Sequence, residues 1–86
     1  RIPFGSLVEL GIIKPGTSIF DNKKKIVAKI MADGSIKHDQ TEGSIHKVAA
    51  TILGTESCNG WTYWHCNING VNVPIDNLRQ RLIANN

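Results

Sequence analysis

Cysteine, methionine and proline are scarce in this 86-residue chain, with two, one and three residues. Two cysteines cannot form a disulfide framework. A bridge between Cys58 and Cys66 is geometrically open, but a reduced, intracellular pair is expected. No Cys-x-x-Cys or His-x-x-x-His spacing occurs, so a zinc site would have to be assembled from Cys58, Cys66 and two of His38, His46 and His65; no metal is expected. No apolar run is long enough to span a bilayer, and no signal-peptide pattern appears. Paired carboxylates and a glycine-rich phosphate loop are also missing. Ser44 and His46 sit too close on one helix start to serve as nucleophile and base, and no acid is placed to orient the histidine. Cys58 or Cys66 as nucleophile would need a base, for which only His65 is near in sequence. The chain is therefore read as non-enzymatic.

Aromatic residues make up only 6% of the chain, yet both tryptophans and the only tyrosine fall in one stretch, Cys58-Asn59-Gly60-Trp61-Thr62-Tyr63-Trp64-His65-Cys66. An extended reading points alternate side chains to opposite faces. Trp61, Tyr63 and His65 would then share one face, and Thr62, Trp64 and Cys66 the other. With Trp64 as the core anchor, Trp61 and Tyr63 would be left near the surface. The formal charge of +3 and pI near 9.1 permit a polyanionic partner without requiring one. An apolar fraction of 41% sets the chain apart from disordered tails. The length suits one small domain, residues 1–86, that buries roughly 60% of its unfolded surface. The chain opens on Arg1 rather than Met, which leads us to expect a fragment or a processed product.

The order of signals predicts an α+β fold: a small antiparallel sheet, made of a meander and a C-terminal hairpin, packed with three helices. A short helix within residues 2–11 has Pro3 in its first turn, Gly11 past its end and Phe4, Leu7 and Val8 as its stripe. Strands follow at 17–20, 24–32 and 35–38, the last two joined by Asp33-Gly34, a strong hairpin signal. Residues 39–43 read as a polar loop. Lysines 23, 24, 25, 29 and 37 cluster in the meander, either as a solvated strand edge or as an edge facing phosphate. Ser44 then caps a helix whose apolar face is Ile45, Val48, Ala49, Ile52 and Leu53, closed by Gly54. Asn69-Gly70 is a second hairpin turn. Pro74 opens a final helix with Ile75, Leu78 and Leu82 on its apolar face. Arg79 shares that side, so it must pair with a buried carboxylate or reach toward a ligand.

Three elements could converge: the helix start Ser44-Ile45-His46-Lys47, the aromatic stretch and Arg79. Backbone amides at the helix start, with Ser44, His46 and Lys47, suit a phosphate. Asn59 both donates and accepts hydrogen bonds. Trp61 and Tyr63 can stack on unpaired bases, and Arg79 can fork onto a phosphate or a guanine edge. Each also has a purely structural role open to it. Ser44 can cap its own helix, Asn59-Gly60 can form a turn, Trp61 can belong to the core, and Tyr63 can pack its ring and leave its hydroxyl wet. A protein-interaction module centred on Trp61 and Tyr63, serving dimerisation or docking, and an aromatic pocket for a modified base are the alternatives to DNA contact.

The blocks Arg1-Ile-Pro-Phe-Gly-Ser-Leu-Val-Glu-Leu-Gly-Ile-Ile-Lys-Pro-Gly-Thr17, Ala32-Asp-Gly-Ser35, Gly43-Ser-Ile-His-Lys-Val-Ala-Ala50, Cys58-Asn-Gly-Trp-Thr-Tyr-Trp-His65 and Pro74-Ile-Asp-Asn-Leu-Arg79 carry a resemblance over essentially the whole chain. The sequence resembles the C-terminal domain of the cell-cycle-regulated adenine-N6 DNA methyltransferases, β-class enzymes that modify adenine in GANTC. It is similar to the wider restriction-adenine-methylase-associated (RAMA) domains. The resemblance implies a DNA-binding accessory domain whose matching positions are Ser44, His46, Lys47, Asn59, Trp61, Tyr63 and Arg79. It also implies a catalytic part elsewhere in the polypeptide, holding S-adenosylmethionine and an Asp-Pro-Pro-Tyr motif, with no cofactor bound here. The partners it implies are DNA, that catalytic domain and a second copy of the full enzyme, with no membrane, in the bacterial cytoplasm at the nucleoid.

Overall fold

The computed structural model describes residues 2–85. The fold is α+β, as expected, with elements α1 (Phe4–Glu9), β1 (Ser18–Phe20), β2 (Val27–Ile30), β3 (Ile36–His38), β4 (Thr41–Gly43), α2 (Ile45–Leu53), α3 (Gly60–Tyr63), β5 (His65–Ile68), β6 (Val71–Pro74) and α4 (Asp76–Ala84). The strands form one antiparallel sheet of order β4-β3-β2-β1-β5-β6. The hairpin β5-β6 thus joins the meander at β1, where Phe20 pairs with His65.

Short polar side chains set the meander's turns. The Asp21 carboxylate accepts the N–H groups of Lys25 and Ile26 at 2.7 and 3.0 Å. The Asp33 carboxylate accepts both the N–H and the hydroxyl of Ser35, at 2.9 and 2.6 Å. These bonds hold that carboxyl below its usual range, the Ser35 hydroxyl contributing most. The expected loop at 39–43 is instead a tight turn and a fourth meander strand. Asp39 adopts φ 55°, a left-handed conformation that aspartate tolerates, and β4 folds back with Ile36 opposite Gly43 and Lys37 opposite Glu42. Its polar composition hid it, because β4 is an edge strand with little to bury.

The strand alternation creates two unlike faces. Ile19, Ala28, Ile30, Ile36 and Cys66 point into the core. Phe4 and Leu7 of α1, Ile45, Val48 and Ala49 of α2, Trp61 of α3 and Leu78 of α4 meet them there, so every helix contributes to the same side. The opposite face carries Ser18, Phe20, Val27, Lys29, Lys37, Glu42, His65 and Asn67; His65 is buried, while the lysines, Glu42 and Asn67 are exposed.

On α2 the apolar face is as expected except at its last residue. Leu53 is 53% exposed, while Ala50 is buried. Pro74 does not open the final helix but ends β6 opposite His65. A proline is tolerated there because β6 is the other edge of the sheet and has no outer partner to receive an N–H. Among the described residues no helix is long and apolar enough to cross a membrane.

Candidate nucleic-acid interface

The aromatic stretch departs most from the extended reading. Asn59 caps a one-turn helix, its side-chain oxygen accepting the Trp61 N–H at 3.0 Å. That turn changes the side-chain period from two to nearly four. Trp61 and Trp64 therefore both point inward, at 5% and 0% exposure, rather than to opposite faces. Trp61 is not a displayed ring. Phe4 meets it edge-on, with centroids 5.9 Å apart, and Arg79 lies over it at 4.4 Å. No open ring face remains to stack on a base or to line a cage for a modified base. Tyr63 is half-buried and packs edge-to-face on Trp64 at 4.8 Å. Burial raises the Tyr63 hydroxyl's pKa above its ordinary value, helped by the negative charge of Asp21 and by Cys58.

The start of α2 and the short helix α3 grip each other. Ser44 Oγ accepts the Lys47 N–H at 3.0 Å, so Ser44 does cap its helix. One residue on, the Ile45 carbonyl accepts the buried indole N–H of Trp64 at 2.9 Å. His46 Nδ1 accepts the Gly60 N–H, also at 2.9 Å. An accepting Nδ1 carries no proton, so a neutral His46 holds its proton on Nε2. Gly60 is the residue that lets the two segments come this close. A Cβ there would lie 2.5 Å from the Ile45 carbonyl carbon. The two sequence blocks, Gly-Ser-Ile-His-Lys and Asn-Gly-Trp-x-Tyr-Trp, are thus the two halves of one clasp.

Arg79 sits at the clasp's outer end. The first turn of α4 supplies Asp76, three residues earlier, and its carboxylate pairs with Arg79 Nη2. Both side chains are about a quarter exposed, at 26% and 24%. Such a pair adds little to stability, about 0–1 kcal/mol. It does hold the guanidinium over the indole. The sequence posed a choice between a buried carboxylate and a ligand; the carboxylate exists but is partly exposed. Among the described residues Arg79 Nε has no hydrogen-bond partner.

A cleft of about 330 Å³ joins the clasp to the chain's start, lined by Pro3, Phe4, Gly34, Ser44, His46 and Trp61. Gly34 approaches Gly5 so closely that a Cβ on Gly34 would fall 2.7 Å from the Gly5 Cα, and this contact seats α1 against the β2–β3 turn. A second cleft, of about 370 Å³, shares Ser44 and His46 and is bounded by Lys47, Thr55 and Cys58. Ser44, Lys47 and Asn59 are exposed and His46, Tyr63 and Arg79 half-buried. The expected convergence of helix start, aromatic stretch and Arg79 is present, with Trp61 beneath the surface instead of on it. Sequence reading missed Asp76, whose i, i+3 spacing to Arg79 was the available signal. It also missed an apolar groove of about 640 Å³ between Ile12-Ile13, Cys66-Ile68 and Leu78-Leu82. Both cysteines are free, and burial raises the Cys66 thiol above its ordinary value, so it is a packing residue there.

The fold is a small α+β domain whose helices all contribute to one core on one side of the sheet. The chain belongs to the family described as Restriction Enzyme Adenine Methylase Associated (RAMA), which matches residues 1–86. It is 29% identical over 79 residues to the type II methyltransferase M.HinfI of Haemophilus influenzae, an alignment covering 92% of this chain and 22% of that protein. The chain thus spans about a fifth of that relative's length.

Proposed function

We propose that this chain is the DNA-contacting accessory domain of an adenine-N6 DNA methyltransferase of the GANTC type, β-class and cell-cycle-regulated. The family match supports an association with adenine methylation. The observation that carries the DNA contact is the guanidinium of Arg79, held over the Trp61 indole, which itself lines the cleft with Ser44 and His46 at the start of α2. A planar guanidinium fixed in this way loses little entropy on forking onto a phosphate or a guanine edge.

The seven residues divide into two roles in this proposal. Arg79, Lys47, His46 through Nε2, the Asn59 amide and the Tyr63 hydroxyl offer polar groups to nucleic acid. Trp61 holds the Arg79 guanidinium in place, and Ser44 caps α2. The catalytic domain of the same polypeptide would bind S-adenosylmethionine and take out the adenine, while this domain grips the distorted duplex near the target.

A chemical-shift map of the chain with a GANTC-containing duplex tests the reading. Perturbations should include the amides of His46, Lys47 and Asn59 and the Arg79 side chain. Perturbations confined to the groove residues Ile12, Ile68 and Leu82, or none at all, would overturn it and favour a protein-docking module.

A further inference from the structure

We propose that the uncovered face of the sheet is a second contact surface for the nucleic-acid backbone, built from Lys29, Lys37 and the lysine-bearing β1–β2 loop. It rests on the DNA-contacting reading above but uses none of its residues.

The register places Ser18, Lys29, Lys37 and Glu42 side by side in one row across β1, β2, β3 and β4. Lys29 and Lys37 are directly opposed. Such partners lie about 4.5–5.5 Å apart at Cα, and like charges at that spacing destabilise a sheet. Lys37 has Glu42 on its far side, but Lys29 has only Ser18.

Protection of a sheet edge is the usual reason for strand lysines, and it does not apply here. β2 and β3 are interior strands, paired on both sides, while the edge strands β4 and β6 contain no lysine. Nor does ion pairing explain them. The one salt bridge among the described residues is that of Arg79 with Asp76; Glu42 stands opposite Lys37 without closing an ion pair, and Lys29 has no carboxylate opposite it.

The loop adds Lys23, Lys24 and Lys25, all exposed. Lys24 adopts φ 59°, a left-handed conformation uncommon for lysine, and its ammonium is carried over the ring of Phe20 at 5.8 Å. Phe20 pairs with Val27 on the same open face. The Asp21 carboxylate fixes the loop in this course through its bonds to Lys25 and Ile26.

Exposed lysines along a face that no helix packs on match a string of phosphates. Lysine acts as a point charge there and reads no base, so the surface is sequence-independent. It lies on the side of the sheet away from the helical layer that carries the clasp and Arg79, so the two surfaces meet different segments of the nucleic acid.

The test is fluorescence anisotropy of the double variant Lys29→Gln/Lys37→Gln with a labelled GANTC duplex and with a mixed-sequence duplex, across salt concentrations. Affinity should fall by a similar factor on both, on the order of tenfold at about 0.1 M salt, and the log–log salt slope should become shallower by about 1.8. The melting temperature should hold or rise, since a repulsive pair is removed, and Lys29→Arg/Lys37→Arg should bind like wild type. If affinity and slope stay at wild-type values while Arg79→Ala weakens binding, the second surface is wrong and the Arg79 reading stands; the lysines would then serve an acidic protein. Failure of the wild-type chain to bind either duplex would overturn both.

Discussion

Replacing Gly60 by alanine should destabilise the domain by about 3 kcal/mol and lower its Tm by roughly 15 °C. The new Cβ would lie 2.5 Å from the Ile45 carbonyl carbon and 2.6 Å from its oxygen. Neither segment can yield cheaply. The Ile45 carbonyl is fixed by the Trp64 indole and the Gly60 N–H by His46 Nδ1. Any shift that relieves the clash therefore breaks buried hydrogen bonds, leaving groups whose desolvation is uncompensated. Thermal and urea denaturation measure the effect. A Tm within a few degrees of wild type would show that the contact between α2 and α3 is loose.

Trp61→Ala should cost about 3–5 kcal/mol, the usual result of removing a buried aromatic ring. A domain of this size holds only about 4–13 kcal/mol in total, so much of the variant would be poised to unfold. Were Trp61 a solvent-facing platform for bases, the loss would stay within about 0.5 kcal/mol. The denaturation midpoint in urea separates the two cases. Trp61→Phe should recover most of the stability, because it still fills the space between Phe4 and Arg79. DNA affinity should also fall in Trp61→Ala at temperatures where the variant remains folded, since the guanidinium loses the surface it lies on.

Much of the fold is legible in the sequence wherever a local signal and the core agree. The Ser44 cap, the Ile45/Val48/Ala49 face and the Asp33-Gly34 and Asn69-Gly70 turns each need only neighbouring residues. The sequence is misleading where a single side chain decides between two periods. Residues 58–66 alternate well enough for a strand, but the Asn59 cap turns the first half into a helix and moves Trp61 from surface to core. Gly60 reads as a turn residue, yet its lack of a side chain matters because of Ile45, which lies 15 positions earlier in the sequence. The candidate site shows the same division. Its members could be picked out by chemistry and family resemblance, whereas the distinction between those that hold and those that reach outward depends on tertiary contacts.

Arg79 is proposed to be the outward tip of the clasp and to touch DNA, while Ser44 serves the fold. Fluorescence anisotropy with a labelled GANTC duplex, run beside thermal melts, tests it most directly. Arg79→Ala should weaken binding about tenfold or more, the loss of charged hydrogen bonds worth about 1.5–3 kcal/mol, with a Tm lower by only a few degrees from uncovering the Trp61 ring. Ser44→Ala should lose about 1 kcal/mol of stability from its cap and keep wild-type affinity while folded. Wild-type affinity in Arg79→Ala, or a loss of affinity in Ser44→Ala with its Tm intact, would contradict the claim.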